Sequence, residues 1–264
     1  MRTDFETILV ERPEEHVLLL TLNRPEVSNA FNTLMGVELG EFFSAMYVNQ
    51  EDVRCIVMTG AGKKAFCAGG DLKQRNEMTD KEWMQQHAAF EQKTLAMLDC
   101  PVPIIAAVNG AAYGGGCELA LSSDFIYASD TARFAQTETR LGIMPGAGGT
   151  QNLPRAVGVR RAKEIILTAE PFSAAEAFEW GMVNKLCAPD ELMDEAMAAA
   201  RKIAANGPIA VRQAKKSITM ATQLDLKTGY AFEIEAYNRM VPTEDRLEGV
   251  RAFNEKRKPD FKGR

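Results

Sequence analysis

The stretch from Pro103 to Asp124 places a short buried strand directly before a bare-backbone loop and a helix. Its sequence, PIIAAVNGAAYGGGCELALSSD, begins with the apolar run Ile104 to Val108, continues into three consecutive glycines and predicts a small-residue helix that opens at Glu118. Glycines at such a junction let a ligand reach main-chain N–H groups, and the first turn of a helix adds unpaired donors. The loop is therefore suited to hold a negative oxygen. Close packing of the helix on a sheet explains a glycine cluster equally well.

The succession of strand and glycine-rich loop recurs on both sides of this stretch. A buried strand over Arg54 to Met58 precedes the loop GAGKKAFCAGGDLKQ (60–74), which enters a helix at Asp71, and a strand over Phe125 to Ala128 precedes a third glycine-rich loop after Glu138. The central loop lacks both the Lys-Ser/Thr pair of a P-loop and the G-x-G-x-x-G spacing, so a nucleotide-phosphate site is disfavoured.

The rest of the chain fits an α/β core followed by helices. Ser173 as N-cap, Glu176 three residues later and Gly181 predict one helix with defined ends. Because strand, loop and helix alternate to about residue 187, we divide the chain into an α/β core over 1–195 and a helical C-terminal region over 196–264, to which the family resemblance described below assigns oligomerisation. The other predicted strands cover residues 7–10 and 17–22, and the other predicted helices cover 34–47, 81–99, 160–168 and 191–206.

Composition excludes several classes of protein. The formal net charge of −5 argues against a nucleic-acid or anionic-membrane partner, and no apolar run approaches membrane-spanning length. The opening sequence MRTDFETILV lacks the basic and apolar regions of a secretory signal, so we expect no export. Five cysteines without a C-x-x-C pair predict reduced thiols and a cytoplasmic location.

The available side chains restrict the chemistry to carboxylates. His16 and His87 are the two histidines, each interpreted as structural, and no G-x-S-x-G elbow occurs, which leaves little for a histidine triad or a zinc site. Glu118 and Glu138 remain beside the glycine-rich loops. Two carboxylates near an oxyanion-binding loop can transfer protons beside a carbonyl if their environments separate their pKa values. Either glutamate taken alone is more often a surface charge.

Three long segments carry a family resemblance. KAFCAGGDLK (64–73), VNGAAYGGGCELALSSDFIYAS (108–129) and FAQTETRLGIMPGAGGTQNLPRAVG (134–158) resemble the enoyl-CoA hydratase branch of the crotonase superfamily, and NRPEVSNAF (23–31) and FNEKRKPDF (253–261) extend the resemblance over nearly the whole chain. It implies an α/β spiral of repeated ββα units and a C-terminal helical region that trimerises, giving a homotrimer or a homohexamer. It also implies an acyl-CoA thioester substrate, with no metal and no cofactor beyond the coenzyme A of the substrate.

The resemblance assigns roles residue by residue. The amides of Gly70 and Gly115 are the two donors to the thioester oxygen. Glu118 matches the glutamate that holds and activates water, and Glu138 matches the one that delivers a proton to the α-carbon. Gly146 matches the glycine whose amide positions the water. The implied contacts with coenzyme A and acyl group are Val27, Ala30, Ala65, Ala68, Gly70, Asp71, Leu72, Lys73 and Gly115, with Phe253 and Lys256 from a neighbouring subunit.

Three functional interpretations stay open at this point. A hydratase uses both glutamates, whereas an isomerase or decarboxylase of the same fold needs the oxyanion donors but not both carboxylates. A coenzyme A-binding scaffold or an RNA-associated relative is disfavoured by the acidic balance and by the intact acid/base positions. Thr137 stands where many hydratases have proline, and Met78, Trp83 and Met84 lie where relatives line the acyl pocket, so the acyl group and the pathway are not fixed.

Overall fold

Ten strands and eleven α-helices are found in the structure, a computed structural model that describes residues 2–264. The strands are β1 (Ile8–Glu14), β2 (Val17–Leu22), β3 (Cys55–Gly60), β4 (Ala65–Cys67), β5 (Ile104–Val108), β6 (Ala111–Tyr113), β7 (Phe125–Ser129), β8 (Arg133–Ala135), β9 (Phe172–Ser173) and β10 (Lys185–Cys187). The helices are α1 (Thr33–Val48), α2 (Leu72–Asn76), α3 (Asp80–Leu98), α4 (Gly115–Leu121), α5 (Gly149–Val157), α6 (Val159–Thr168), α7 (Ala174–Glu179), α8 (Leu192–Ala204), α9 (Pro208–Ala221), α10 (Leu226–Asn238) and α11 (Glu244–Asn254).

The strands form two sheets that share their connections. The larger sheet has the order β1-β2-β3-β5-β7-β10 and is parallel except for the β1–β2 hairpin, while the smaller sheet has the order β4-β6-β8-β9. Each of the successive pairs β3/β4, β5/β6 and β7/β8 sends its first strand to the larger sheet and its second to the smaller one, and helices follow. This arrangement confirms the predicted α/β spiral of ββα units.

The central strands are apolar throughout because both of their faces are buried. Ile56 and Met58 of β3 point into the main core with α1 and α3, whereas Cys55 and Val57 pack against α8. Alternate side chains of a strand point to opposite faces, so a strand covered on both sides shows an unbroken apolar run. The five cysteines are buried free thiols.

Capping residues define the ends of several helices, and the predicted caps of α7 are among them. Ser173 and Glu176 form a reciprocal capping box at the start of α7, and Gly181 follows with a φ of +84°. Thr79 and Glu82 form a second capping box at the start of α3. The helix begins at Asp80, one residue before its predicted start. Asp71 caps α2 by accepting a hydrogen bond from the Gln74 amide.

The prediction was wrong about the interior of the glycine-rich loops. The central helix α4 begins at Gly115, not at Glu118, because Gly114 alone makes the turn with a φ of +52°. The strands β4, β6 and β8 lie in segments interpreted as loop. Each has three residues, which is too short for a period-two pattern, and each is held by pairing with distant strands.

The C-terminal helices leave the sheet after α8, which itself packs on β3 and β5. The proposed boundary at residue 195 falls within α8, and the division of the chain remains a prediction. Arg54 ties the two parts together by donating to the carbonyl oxygens of Ala204 and Phe261, and Lys215 pairs with Asp124 at 2.8 Å. None of the helices described here has both the length and the apolar character needed to cross a bilayer.

Candidate active site

A cavity of about 520 Å³ opens where the three glycine-rich loops meet. Its walls include all five residues assigned to the reaction: Gly70, Gly115, Glu118, Glu138 and Gly146. Helix α3 closes the opposite side with Trp83, His87, Phe90 and Lys93. The spiral therefore brings together residues that lie up to 76 positions apart in the sequence, because each ββα unit delivers its loop to the same end of the sheets.

The first two loops each contribute one backbone amide that is unpaired within residues 2–264. Gly69 adopts a φ of +91°, and a Cβ there would lie 2.8 Å from the Tyr113 carbonyl oxygen and 3.3 Å from the Gly115 nitrogen, so the loops are in direct contact. The amides of Gly70 and Gly115 donate to no acceptor within residues 2–264, and Gly115 is the first residue of α4. This pair of donors can hold an oxygen that carries developing negative charge.

Glu118 is held by the third loop. Its Oε1 accepts hydrogen bonds from the amides of Ala147 at 2.7 Å and Gly149 at 2.8 Å, and the side chain is 3% exposed. The two N–H donors hold the Glu118 carboxyl group in one orientation at the wall of the cavity. Gly148, with a φ of +99°, turns the loop so that both amides point at the same atom.

Glu138 lies in a different environment at the start of the 3-10 helix Glu138–Leu141. Its Oε2 is buried and has no hydrogen-bond partner in the described part of the chain. Burial, and then the negative charge of Glu118, raises the pKa of Glu138 to about 7, although nearby Arg75 opposes the shift. The two carboxyl groups therefore differ in environment: Glu118 accepts two amide hydrogen bonds, whereas burial favours the acid form of Glu138.

Three cavity residues were not singled out from the sequence as site residues. Lys93 is 3% exposed, its Nζ lies 5.1 Å from the Phe31 ring centre, and burial lowers its pKa to about 8. Arg75 reaches in from α2, and His87 contacts the loop so closely that a Cβ at Gly146 would lie 2.7 Å from its Cε1. His87 and Lys93 lie on the same predicted helix as Trp83 and Phe90, and this helical spacing was the signal that could have revealed these two residues.

The residues assigned to coenzyme A contacts are dispersed. Ala68 and Leu72 line the cavity, whereas Asp71 has its carboxylate engaged by Arg24 at 3.0 Å. Lys73 is exposed outside the cavity lining. Phe253 lies in the last turn of α11 and is 82% exposed, and Lys256 follows two residues after the helix ends. The remaining three, Val27, Ala30 and Ala65, lie outside the lining of the cavity.

Comparison with known proteins gives matches over the whole chain. Residues 12–264 match the family model described as enoyl-CoA hydratase/isomerase. The chain is 41% identical to the short-chain-enoyl-CoA hydratase of Clostridium acetobutylicum, covering 99% of this chain and 100% of that protein, and 40% identical to the crotonyl-CoA hydratase of Syntrophomonas wolfei, covering 97% and 98%. Among solved structures, that of an enoyl-CoA hydratase from Bacillus anthracis superposes with a TM-score of 0.95 at 43% identity, covering 98% of this chain and 100% of that chain.

Proposed function

The chain belongs to the enoyl-CoA hydratase/isomerase family, and from this premise we propose that it adds water across the double bond of an α,β-unsaturated acyl-CoA thioester. One observation carries the proposal: two buried carboxyl groups in different environments, Glu118 and Glu138, lie in the same cavity as two amides that are unpaired within residues 2–264. A double-bond isomerase needs the amides but not two carboxyl groups. Turnover of a panel of enoyl-CoA thioesters with linear, branched, aromatic and dicarboxylic acyl groups tests it.

In this scheme the thioester oxygen accepts hydrogen bonds from the Gly70 and Gly115 amides. Water held by Glu118 gives a proton to that carboxylate while its oxygen attacks the β-carbon, and the displaced electron pair moves to the thioester oxygen as an enolate. Glu138 then donates its proton to the α-carbon, and proton exchange with water deprotonates Glu118 and reprotonates Glu138 before the next turnover. Acid/base addition of water needs neither a metal nor a redox group, so coenzyme A enters only as part of the substrate. The five free thiols support a cytoplasmic location.

Hydration should slow as the pH rises through about 7, because Glu138 must be protonated to supply the α-proton and its pKa is raised to about 7. Above that value the protonated fraction, and with it kcat/KM, falls about tenfold per pH unit. Hydration neither releases nor takes up a proton, so its equilibrium constant does not depend on pH. The kcat/KM of the reverse dehydration must therefore fall in parallel. Initial rates in both directions from about pH 6 to 9 check this, and the residual activity of Glu138→Gln should lack the falling limb. A flat wild-type profile would contradict the assignment.

Lys73 and Lys256 are proposed to contact the phosphates of coenzyme A as point charges. Replacing either with alanine should raise KM for acyl-CoA by roughly five- to tenfold but leave KM for a pantetheine thioester, which lacks the nucleotide, much less affected. Added salt should likewise raise the KM of the wild-type protein for acyl-CoA more than its KM for the pantetheine thioester. Lys202→Ala, an exposed lysine on α8, is the control. Equal increases in KM for both thioesters would show that these lysines do not contact the phosphates of coenzyme A.

A homotrimer, or a homohexamer of two trimers, is proposed as the active assembly. Leu226, Tyr230, Ile234 and Tyr237 follow one stripe of α10 and are between 39% and 90% exposed. Such a stripe is typical of an interface, and the family resemblance implies that the coenzyme A site receives Phe253 and Lys256 from a neighbouring subunit. Light scattering at the assay concentration should give three or six chains per particle. A fully active monomer would contradict both the assembly and the shared site.

A further inference from the structure

Arg75 is fixed in the cavity by contacts that position its guanidinium group. The group lies 4.6 Å from the ring centre of Trp83 and 5.7 Å from that of Phe90, and its Nε donates to Gln86 Oε1 at 2.8 Å. Gln86 is itself buried and donates to Thr33 Oγ1 at 2.9 Å and to Gln74 Oε1 at 3.0 Å. The guanidinium orientation is therefore set before any ligand arrives.

The outer nitrogens of this guanidinium have no hydrogen-bond acceptor among residues 2–264. Nη1 and Nη2 donate to no acceptor in the part of the chain that the structure describes, and no carboxylate lies within 4 Å of them, whereas Arg24 is paired with Asp71. A planar fork of two N–H donors matches a carboxylate in two parallel hydrogen bonds. Arg75 thus presents an unused carboxylate-binding fork to the cavity.

The charge balance of the cavity also leaves room for an anion. With Glu138 protonated, the negative charge of Glu118 faces two cations, Arg75 and Lys93. Burial lowers the pKa of both cations, which shows that their desolvation is not fully compensated by the groups around them. An aliphatic acyl group would exclude water from these cations and offer no hydrogen bond in return.

We propose that Arg75 binds a carboxylate at the far end of the acyl group, so that the preferred substrate is an enoyl thioester of a short dicarboxylic acid. The acyl group is short because the guanidinium lies beside the oxyanion site: a Cβ at Gly70 would lie 3.1 Å from Nη1. Lys93 adds positive charge deeper in the same cavity. The inference rests on the proposed function, since it names the substrate class of that same site.

Binding of unreactive acyl-CoA thioesters tests the fork apart from catalysis. Glutaryl-CoA carries a terminal carboxylate, and valeryl-CoA has the same number of carbons without it. In calorimetric titrations the wild-type protein should bind glutaryl-CoA about tenfold or more tightly than valeryl-CoA, since two charge-assisted hydrogen bonds distinguish them. Arg75→Met should abolish this preference, and Arg75→Lys, which keeps the charge but not the fork, should retain part of it.

A matched control exists outside the cavity. Arg161 stacks on Trp180 at 4.4 Å in the same manner as Arg75 on Trp83, so Arg161→Met removes an equivalent arginine–tryptophan contact and should retain the wild-type preference. Equal wild-type affinities for the two thioesters, or a preference that survives in Arg75→Met, would overturn the proposal.

Turnover separates this inference from the function on which it rests. Glutaconyl-CoA should be hydrated with a higher kcat/KM than crotonyl-CoA, and Arg75→Met should reduce their ratio at least about tenfold. Hydration of crotonyl-CoA without any preference for glutaconyl-CoA would contradict carboxylate binding by Arg75 but would still support the hydratase function. If the protein hydrates no enoyl thioester but shows an Arg75-dependent preference for glutaryl-CoA, the result would support carboxylate binding by Arg75 and contradict the hydratase function.

Discussion

Glu118→Gln and Glu138→Gln are each expected to lower kcat for hydration by at least about a hundredfold, while KM stays within a few-fold. A glutamine at 118 can still accept from the Ala147 and Gly149 amides but cannot take a proton from water. A glutamine at 138 cannot deliver a proton to the α-carbon. Because both groups act on the transition state rather than on the bound thioester, the loss belongs in kcat. Steady-state kinetics with the best substrate of the panel measure it.

The same variants should keep the fold. In the unfolded chain Glu138 titrates near its ordinary value of 4.5, whereas its pKa is about 7 in the folded protein, so the folded protein loses stability as the pH rises between these values. Glu138→Gln has no charge to bury and should be more stable than the wild type above pH 7. Glu91→Gln, an exposed position on α3, is the control for kinetics and stability. Near wild-type turnover of Glu118→Gln or Glu138→Gln would favour the interpretation of the protein as an isomerase or as a coenzyme A-binding scaffold.

Gly116→Ala is expected to destabilise the protein by about 3 kcal/mol or more, because a Cβ at this position would overlap the carbonyl oxygen of Cys67. Cys67 ends β4 and Gly116 lies in the first turn of α4, so the helix can relieve the clash only by moving away from the small sheet. That movement would shift the Gly115 amide and Glu118 together. Both the free energy of unfolding and kcat should fall.

Gly115→Ala provides the matched comparison for stability. It places the same extra methyl group one residue earlier in the same helix, where the nearest atom would be a Phe31 ring carbon at 3.6 Å, an ordinary contact. Its free energy of unfolding in urea should be within about 1 kcal/mol of the wild type. If Gly116→Ala and Gly115→Ala were equally stable, the close approach of α4 to β4 would not determine the geometry of the site.

Local sequence patterns were enough to predict an α/β core and to place Glu118 and Glu138 beside glycine-rich loops, whereas the spiral was predicted from the family resemblance. Strand, glycine-rich loop and helix are signalled locally, by the apolar run Ile104 to Val108, by consecutive glycines and by caps such as Ser173 with Glu176. The three-residue strands β4, β6 and β8 could not be predicted, because they owe their structure to pairing with residues far away in the chain. Local periodicity does not record such pairing.

Lys93 and Arg75 were missed for a different reason. Lys93 is buried because α1 approaches α3 closely at its small residues: a Cβ at Gly40 would lie 3.6 Å from the Lys93 Cα, and one at Gly36 would overlap the Phe90 ring. Two glycines four residues apart on one helix were a readable sign of close helix packing. The position of the Arg75 guanidinium group depends on the turn between α2 and α3, which brings Trp83 and Gln86 into contact with it. No local sequence pattern predicts that turn.

Reaction in water enriched in oxygen-18 tests the central claim most directly. If the protein is a hydratase that works as described, an enoyl-CoA thioester incubated with it becomes a 3-hydroxyacyl-CoA thioester, and mass spectrometry finds one solvent-derived oxygen in the acyl group. Glu118→Gln and Glu138→Gln should form this product at least about a hundredfold more slowly. An acyl group that shifts its double bond or loses carbon dioxide without gaining solvent oxygen would contradict the account.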